Sequence, residues 1–149
     1  MIKLSASPGQ IWQDDCYYLD RQSGECMRKY LLVLAVTQDV DTLGVVFTSR
    51  PNGLTVDPAC SLGPPRAGYF IGTPGGVFHK PTWVDFASLE LLDSYDLELH
   101  IRQGRKKLLA QKLESSLLCG VVRCLLQSED ITLRQSRWLS DTAILWGCP

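Results

Sequence analysis

The stretch Val45-Val46-Phe47-Thr48-Ser49-Arg50 is an apolar, strand-like run that ends in two hydroxyls and a cation, directly ahead of the chain-breaking Pro51-Asn52-Gly53. A strand that stops where its polar side chains begin sets them at the rim of a sheet, where binding and chemistry usually sit. Hydroxyls at such a place also have a plainer job, satisfying backbone groups as the strand turns. Further along, His79-Lys80 follows a glycine-rich loop. A histidine titrating near neutrality is the side chain suited to shuttling a proton. Asp85, on the segment after Trp83, is a candidate carboxylate partner for it. Two more basic groups stand out: Arg28-Lys29 ahead of a long apolar run, and Arg102, Arg105, Lys106 and Lys107 around Gly104. The second group reads either as a solvated loop or as a contact to an RNA backbone. Glu98 and Glu114 dilute its field and favour the solvated reading.

These side chains must be held by something, and the composition bounds what that is. A chain of 149 residues with 45% hydrophobic content is sized for one domain, 1–149, with a real core. Fifteen basic residues face 16 acidic ones, a net charge of −1, so any nucleic-acid contact has to come from a local patch. A general DNA-coating protein does not fit. No stretch approaches the roughly 18 uninterrupted apolar residues of a membrane span, and MIKLSASPGQ lacks an apolar signal core. The expectation is a cytoplasmic protein with no membrane contact. Cys16, Cys26, Cys60, Cys119, Cys124 and Cys148 are scattered, without a Cys-x-x-Cys pair or histidines at zinc spacing. Reduced, structural thiols and no metal site are expected. Cys119 and Cys124 fall on different faces of a helix, so they do not pair with each other.

The first half reads as strands and loops. Gln10-Ile11-Trp12 opens an apolar segment after the Pro8-Gly9 turn, with Trp12 assigned to the core. Tyr30 to Val36 is too continuous for a one-sided strand and is expected to be central and buried on both faces, with Gly44 to Thr48 as its hairpin partner. Glycine and proline crowd residues 50–81, a long insert in which Ala67–Ile71 and Val77-Phe78 are short strands. Thr82–Phe86 restores alternation and Leu89–Leu92 continues it, while Leu99-His100-Ile101 also reads as strand. From Arg105, Leu109, Leu113, Leu117, Val121 and Leu125 recur in steps of four and predict one amphipathic helix. Ser128-Glu129-Asp130 is taken as the start of a second. The result is a mainly β domain, residues 1–103, closed by a helical part, 104–149.

Pro8-Gly9-Gln10-Ile11-Trp12, then Gly24-Glu25, then a cation directly before the buried strand Tyr30–Leu34, then an apolar strand ending Thr48-Ser49, form an ordered set. In that order the chain resembles the MazF/PemK family of toxin endoribonucleases. The resemblance covers residues 8–50 well and continues weakly through Trp83–Asp93, where Leu91-Leu92-Asp93 looks like the strand that closes that family's sheet. It implies a small SH3-like antiparallel barrel with C-terminal helices, here carrying the long Gly/Pro-rich insert at about 50–81. It further implies a homodimer that cuts single-stranded RNA without a metal or cofactor, as the toxin of a toxin–antitoxin system held in check by a small antitoxin protein.

Such cleavage needs a general base near the 2′-hydroxyl, an acid near the leaving oxygen and donors around the phosphorane. The resemblance puts the catalytic cation at Lys29, where the family has arginine, with Tyr30 in place of the proline that normally follows. Lysine neutralises a phosphate but lacks the planar bidentate fork. Thr48 and Ser49 match the family pattern and would bind a phosphate oxygen. His79 and Asp85 are then the candidate acid–base groups, and Arg28, Arg50, Lys80, Arg105 and Lys106 the candidate RNA contacts. The alternative is a non-catalytic SH3-like module that binds a peptide, RNA or its own copy, with the changes at Lys29 and Tyr30 marking a lost active site. A hydrolase built on Cys60 or Cys26 with His79 is a third reading that no paired motif supports.

Overall fold

A computed structural model describes residues 6–149; the reading of Met1–Ser5 as part of a segment without a signal core lies outside the described residues. The apolar run that demanded two-sided burial receives it. Leu31–Ala35 are buried in β2 (Cys26–Val36), which lies between β1 (Gln10–Leu19) and β3 (Thr42–Thr48). The chain continues through β4 (Cys60–Leu62), β5 (Ala67–Gly72), β6 (Thr82–Leu92), α1 (Ser94–Arg102), β7 (Lys106–Lys112), α2 (Ser115–Leu126) and α3 (Leu133–Leu145). The strands form one antiparallel sheet in the order β4-β5-β6-β3-β2-β1-β7, with β4 and β7 at its edges. This is a mainly β fold with helices.

Period-two alternation along β2 sorts the core. Leu32 and Leu34 pack with Val45, Val84, Leu118, Val121 and Leu139, so α2 and α3 cover that face. Leu31 and Val33 join Trp12 and Val46 on the other face, where Ile101 of α1 packs against them. Register shifts interrupt several of the pairings, and bulges of this kind bend a sheet. The bend brings edge strand β7 to the loop between β5 and β6. There Gln111 Nε2 donates to Gly75 O and Gln111 Oε1 accepts from Val77 N, each at 3.0 Å. Gly75 and Phe78 exchange two backbone hydrogen bonds around Gly76, whose φ of +61° has the sign a two-residue hairpin turn needs there. A Cβ on Gly76 would overlap the Gln111 carboxamide. Gly76→Ala is therefore expected to lower stability by about 1–3 kcal/mol, read from urea unfolding.

Four expectations are corrected. Lys106–Lys112 is a strand and the helix begins only at Ser115. Leucines four apart share a face in a strand as well as in a helix, so Leu109 and Leu113 satisfied both periods. His100 lies in α1, not in a strand; Asp93 starts that helix by accepting the Asp96 backbone N–H on its side chain. The second C-terminal helix begins after Thr132, whose hydroxyl and backbone form a reciprocal capping box with Gln135, and Ser128–Asp130 belong to the connector.

The fourth correction concerns the thiols. Cys16–Cys26 joins β1 to β2, Cys60–Cys124 ties β4 to α2, and Cys119–Cys148 ties α2 to the C-terminal segment. Partners 10, 64 and 29 residues apart are brought together by strand pairing and helix packing, which no local spacing announces. Among the described residues no cysteine is free, which removes Cys26 and Cys60 as nucleophiles. Denatured but unreduced protein should take up no iodoacetamide. Replacing Cys60 and Cys124 together by serine should cost about 2–5 kcal/mol, seen as a lower melting temperature. Among the described residues, no helix is long and apolar enough to cross a membrane.

Candidate functional site

β3 meets β2 at Leu31–Val46 and β6 at Thr48–Trp83. Carrying the first register two residues further sets Lys29 opposite Thr48 on the face of Leu31 and Val46, while Tyr30 and Phe47 belong to the other face, so the end of the sheet is lined from both sides. At this end of the sheet the β5–β6 loop folds in and encloses a cavity of about 260 Å³. Arg28, Lys29 and Tyr30 of β2, Phe47 and Thr48 of β3, the adjoining Ser49, the segment Val77–Lys80, and Thr82 line it. Its floor is aromatic: the Phe78 ring lies 4.5 Å from Phe47 and 5.6 Å, edge-on, from Tyr30. Because Gln111 holds the turn that leads into Phe78, the exposed His79 and Lys80 leave a braced point rather than a free loop.

The lining carries three cations, an imidazole and the hydroxyls of Thr48, Ser49 and Thr82, and no carboxylate. Lys29 and Lys80 have no ion-pair partner among the described residues. Arg28 is shared with Asp15, its Nε 3.2 Å from Oδ1. The hydrogen bond from Gln13 holds the Asp15 carboxyl below the ordinary carboxylate value, helped by the charges of Lys107 and Arg28 and opposed by desolvation. Thr48 Oγ1 accepts the Arg50 N–H at 3.1 Å, so at this residue the plain turn role is met. Thr82 Oγ1 donates to Lys80 O at 2.8 Å. Ser49 is exposed beside them.

Six of the residues singled out from sequence thus share one cavity: Arg28, Lys29, Thr48, Ser49, His79 and Lys80. Arg50 is exposed next to Ser49 but outside the lining. Asp85 stands apart. It is opposite Val46 on β6 and its Oδ2 is 2.7 Å from Arg66 Nη2, so the structure does not bring it to His79. Arg105 and Lys106 lie at another cavity, paired with Asp14 at 3.2 and 3.9 Å. At 6% exposure Lys106 is too buried to serve as the RNA contact expected of it; a strand register that turned it inward, invisible in a run of basic residues, is the reason. Trp83 is buried against Phe70 and donates to Thr55 O. Sequence reasoning missed Phe47 and Tyr30 as the floor and Gln111 as the brace. The first two carried a signal in their position next to Thr48 and Lys29, and Gln111 carried none.

No family model, curated protein or solved structure matches the chain. What the site can do follows from its chemistry. Two ammonium groups with no ion-pair partner among the described residues, hydroxyls and an imidazole, in a lining that itself has no carboxylate, suit an oxyanion such as a phosphodiester.

Proposed function

We propose that this cavity binds the backbone of single-stranded RNA and cleaves it without a metal, in a MazF/PemK-like SH3 barrel that acts as the toxin of a toxin–antitoxin pair and works as a homodimer. The observation that carries the reading is that Lys29, Lys80 and His79 all border one cavity whose lining has hydroxyls and no carboxylate. In this reading the RNA supplies its own nucleophile. The 2′-hydroxyl attacks phosphorus, the bond to the 5′-oxygen breaks, and a 2′,3′-cyclic phosphate is left. His79 takes the 2′-hydroxyl proton, Lys29 donates a proton to the departing 5′-oxygen, and Lys80 with Ser49 stabilises the charge that builds on the phosphorane. The aromatic floor gives the adjacent base an apolar surface.

A second reading, an RNA-binding module without turnover, is favoured by one specific contact: the Thr48 hydroxyl is already engaged by the Arg50 backbone. Incubating purified, antitoxin-free protein with end-labelled single-stranded RNA in EDTA separates the two. Fragments ending in a cyclic phosphate support cleavage, and retarded but intact RNA supports the binding module. RNA that is neither cut nor bound sinks both. A cytoplasmic setting follows from an mRNA substrate, whereas three disulfides suit an oxidising compartment. Thiol trapping in acid-quenched cells decides between them.

A further inference from the structure

A second cavity, about 450 Å³, opens on the face of the sheet covered by α1. It adjoins a small inner chamber of about 10 Å³, and Leu31, Leu92, Leu97 and Lys106 line both. The buried polar groups here are short of acceptors. Lys106 is 6% exposed, yet its nearest charged partner, Asp14 Oδ2, is 3.9 Å away, beyond hydrogen-bond reach. Asp14 Oδ1 is meanwhile used by Arg105 Nε at 3.2 Å and by the Cys16 N–H at 3.0 Å. In the inner chamber Trp12 Nε1 and Thr42 Oγ1 are buried without a partner, in residues 8% and 1% exposed.

His100, in the outer cavity, adds another donor. Its Nε2 lies 3.3 Å from Arg105 Nη1, and because a guanidinium only donates, Nε2 must accept. The proton of the neutral ring then sits on Nδ1, which is buried and unpartnered. Burial, and next the charges of Lys106 and Arg105, push the imidazole below its usual pKa and keep it neutral.

Buried donors without acceptors are costly and call for oxygen. The inner chamber is no larger than a single water, whereas the outer cavity is of ligand size. The mouth has the opposite character: Glu90, Asp93 and Asp96 are exposed and in no ion pair among the described residues. A phosphate dianion would be repelled there, whereas an ammonium would be drawn in. We propose that this cleft binds a small aliphatic ω-amino acid, with its carboxylate turned inward to the Lys106 ammonium on the side away from Asp14, its carbon chain on Leu31, Leu92 and Leu97, and its ammonium at the acidic mouth.

The test is a titration of ¹⁵N-labelled full-length protein, with the Trp12 indole signal identified through Trp12→Phe. The probes are leucine, 6-aminohexanoate, hexanoate, hexylamine and inorganic phosphate. The expected result is a saturable shift of the Trp12 indole and His100 ring signals with 6-aminohexanoate, weaker with leucine, whose two charges share one carbon, and none with hexylamine. Lys106→Met should abolish the shift, and Glu90→Gln, an exposed change that keeps the fold intact if Lys106→Met does not, should weaken binding at least about tenfold. The proposal is overturned if 6-aminohexanoate does not bind and the chamber holds only water. Phosphate or hexanoate binding as tightly as 6-aminohexanoate, or affinity unaltered by Glu90→Gln, also overturns it.

Discussion

If the cavity cleaves RNA as proposed, replacing His79 with alanine is expected to lower the cleavage rate by about 10²–10⁴-fold and to leave RNA affinity almost unchanged. The two quantities separate because a proton shuttle acts as the 2′-oxygen attacks, while ground-state binding draws on the ammonium groups of Lys29 and Lys80 and on the aromatic floor. Lys29→Met does the converse in part. It removes both a phosphate contact and the proposed acid, so the cleavage rate falls as well as the affinity, and the slope of log affinity against log salt drops by about 0.7. Lys29→Arg restores the charge and adds a bidentate fork, so binding recovers, but a guanidinium does not give up its proton and the rate stays low. Single-turnover rates and affinities measured for the three variants at two salt concentrations check the assignment. Equal rates for His79→Ala and the unaltered protein would remove the histidine from the chemistry.

Asp14→Leu lowers stability by about 3–5 kcal/mol. Asp14 is 1% exposed and is the counter-ion of Lys106, itself 6% exposed. Removing one partner strands an ammonium in a poorly solvated place, where desolvation already pushes the Lys106 pKa down against the raising effect of Asp14. The pH dependence has a definite sign. A lysine whose folded pKa lies below its unfolded value binds fewer protons folded than unfolded between the two values. Stability therefore rises with pH through that window, more steeply in the variant because the opposing carboxylate is gone. Adding Lys106→Met to Asp14→Leu should recover the part of the loss owed to the stranded ammonium, since an apolar pair carries no desolvation penalty, while Arg105 and the Cys16 N–H still lack the acceptor Asp14 gave them. Urea unfolding of the two single variants and the double variant, at neutral and alkaline pH, closes the cycle.

The legible part of the site was that held by strand ends. Thr48, Ser49 and Lys29 could be placed at a rim because an apolar run that stops abruptly locates its own end, and two such ends joined in register lie side by side. His79 was legible as a residue type but not as a neighbour. Its place depends on Gln111, 34 residues beyond the Val77 it holds, and on the Phe78 ring lodged against Phe47. Asp85 showed the reverse failure. It sat at a plausible spacing from His79, and the strand on its other side brought Arg66 to it instead.

The amino-acid order alone determined the doubly buried β2, the chain break after Thr48, the amphipathic α2 and the mainly β character, because each depends on which residues within one or two turns of chain are apolar. The tertiary structure alone decided the three cysteine pairings, the inward turn of Lys106 and the company His79 keeps. Periodicity states which face of an element must be covered. Which other element covers it, and which polar groups are trapped between the two, is settled only when strands far apart in the chain take their register.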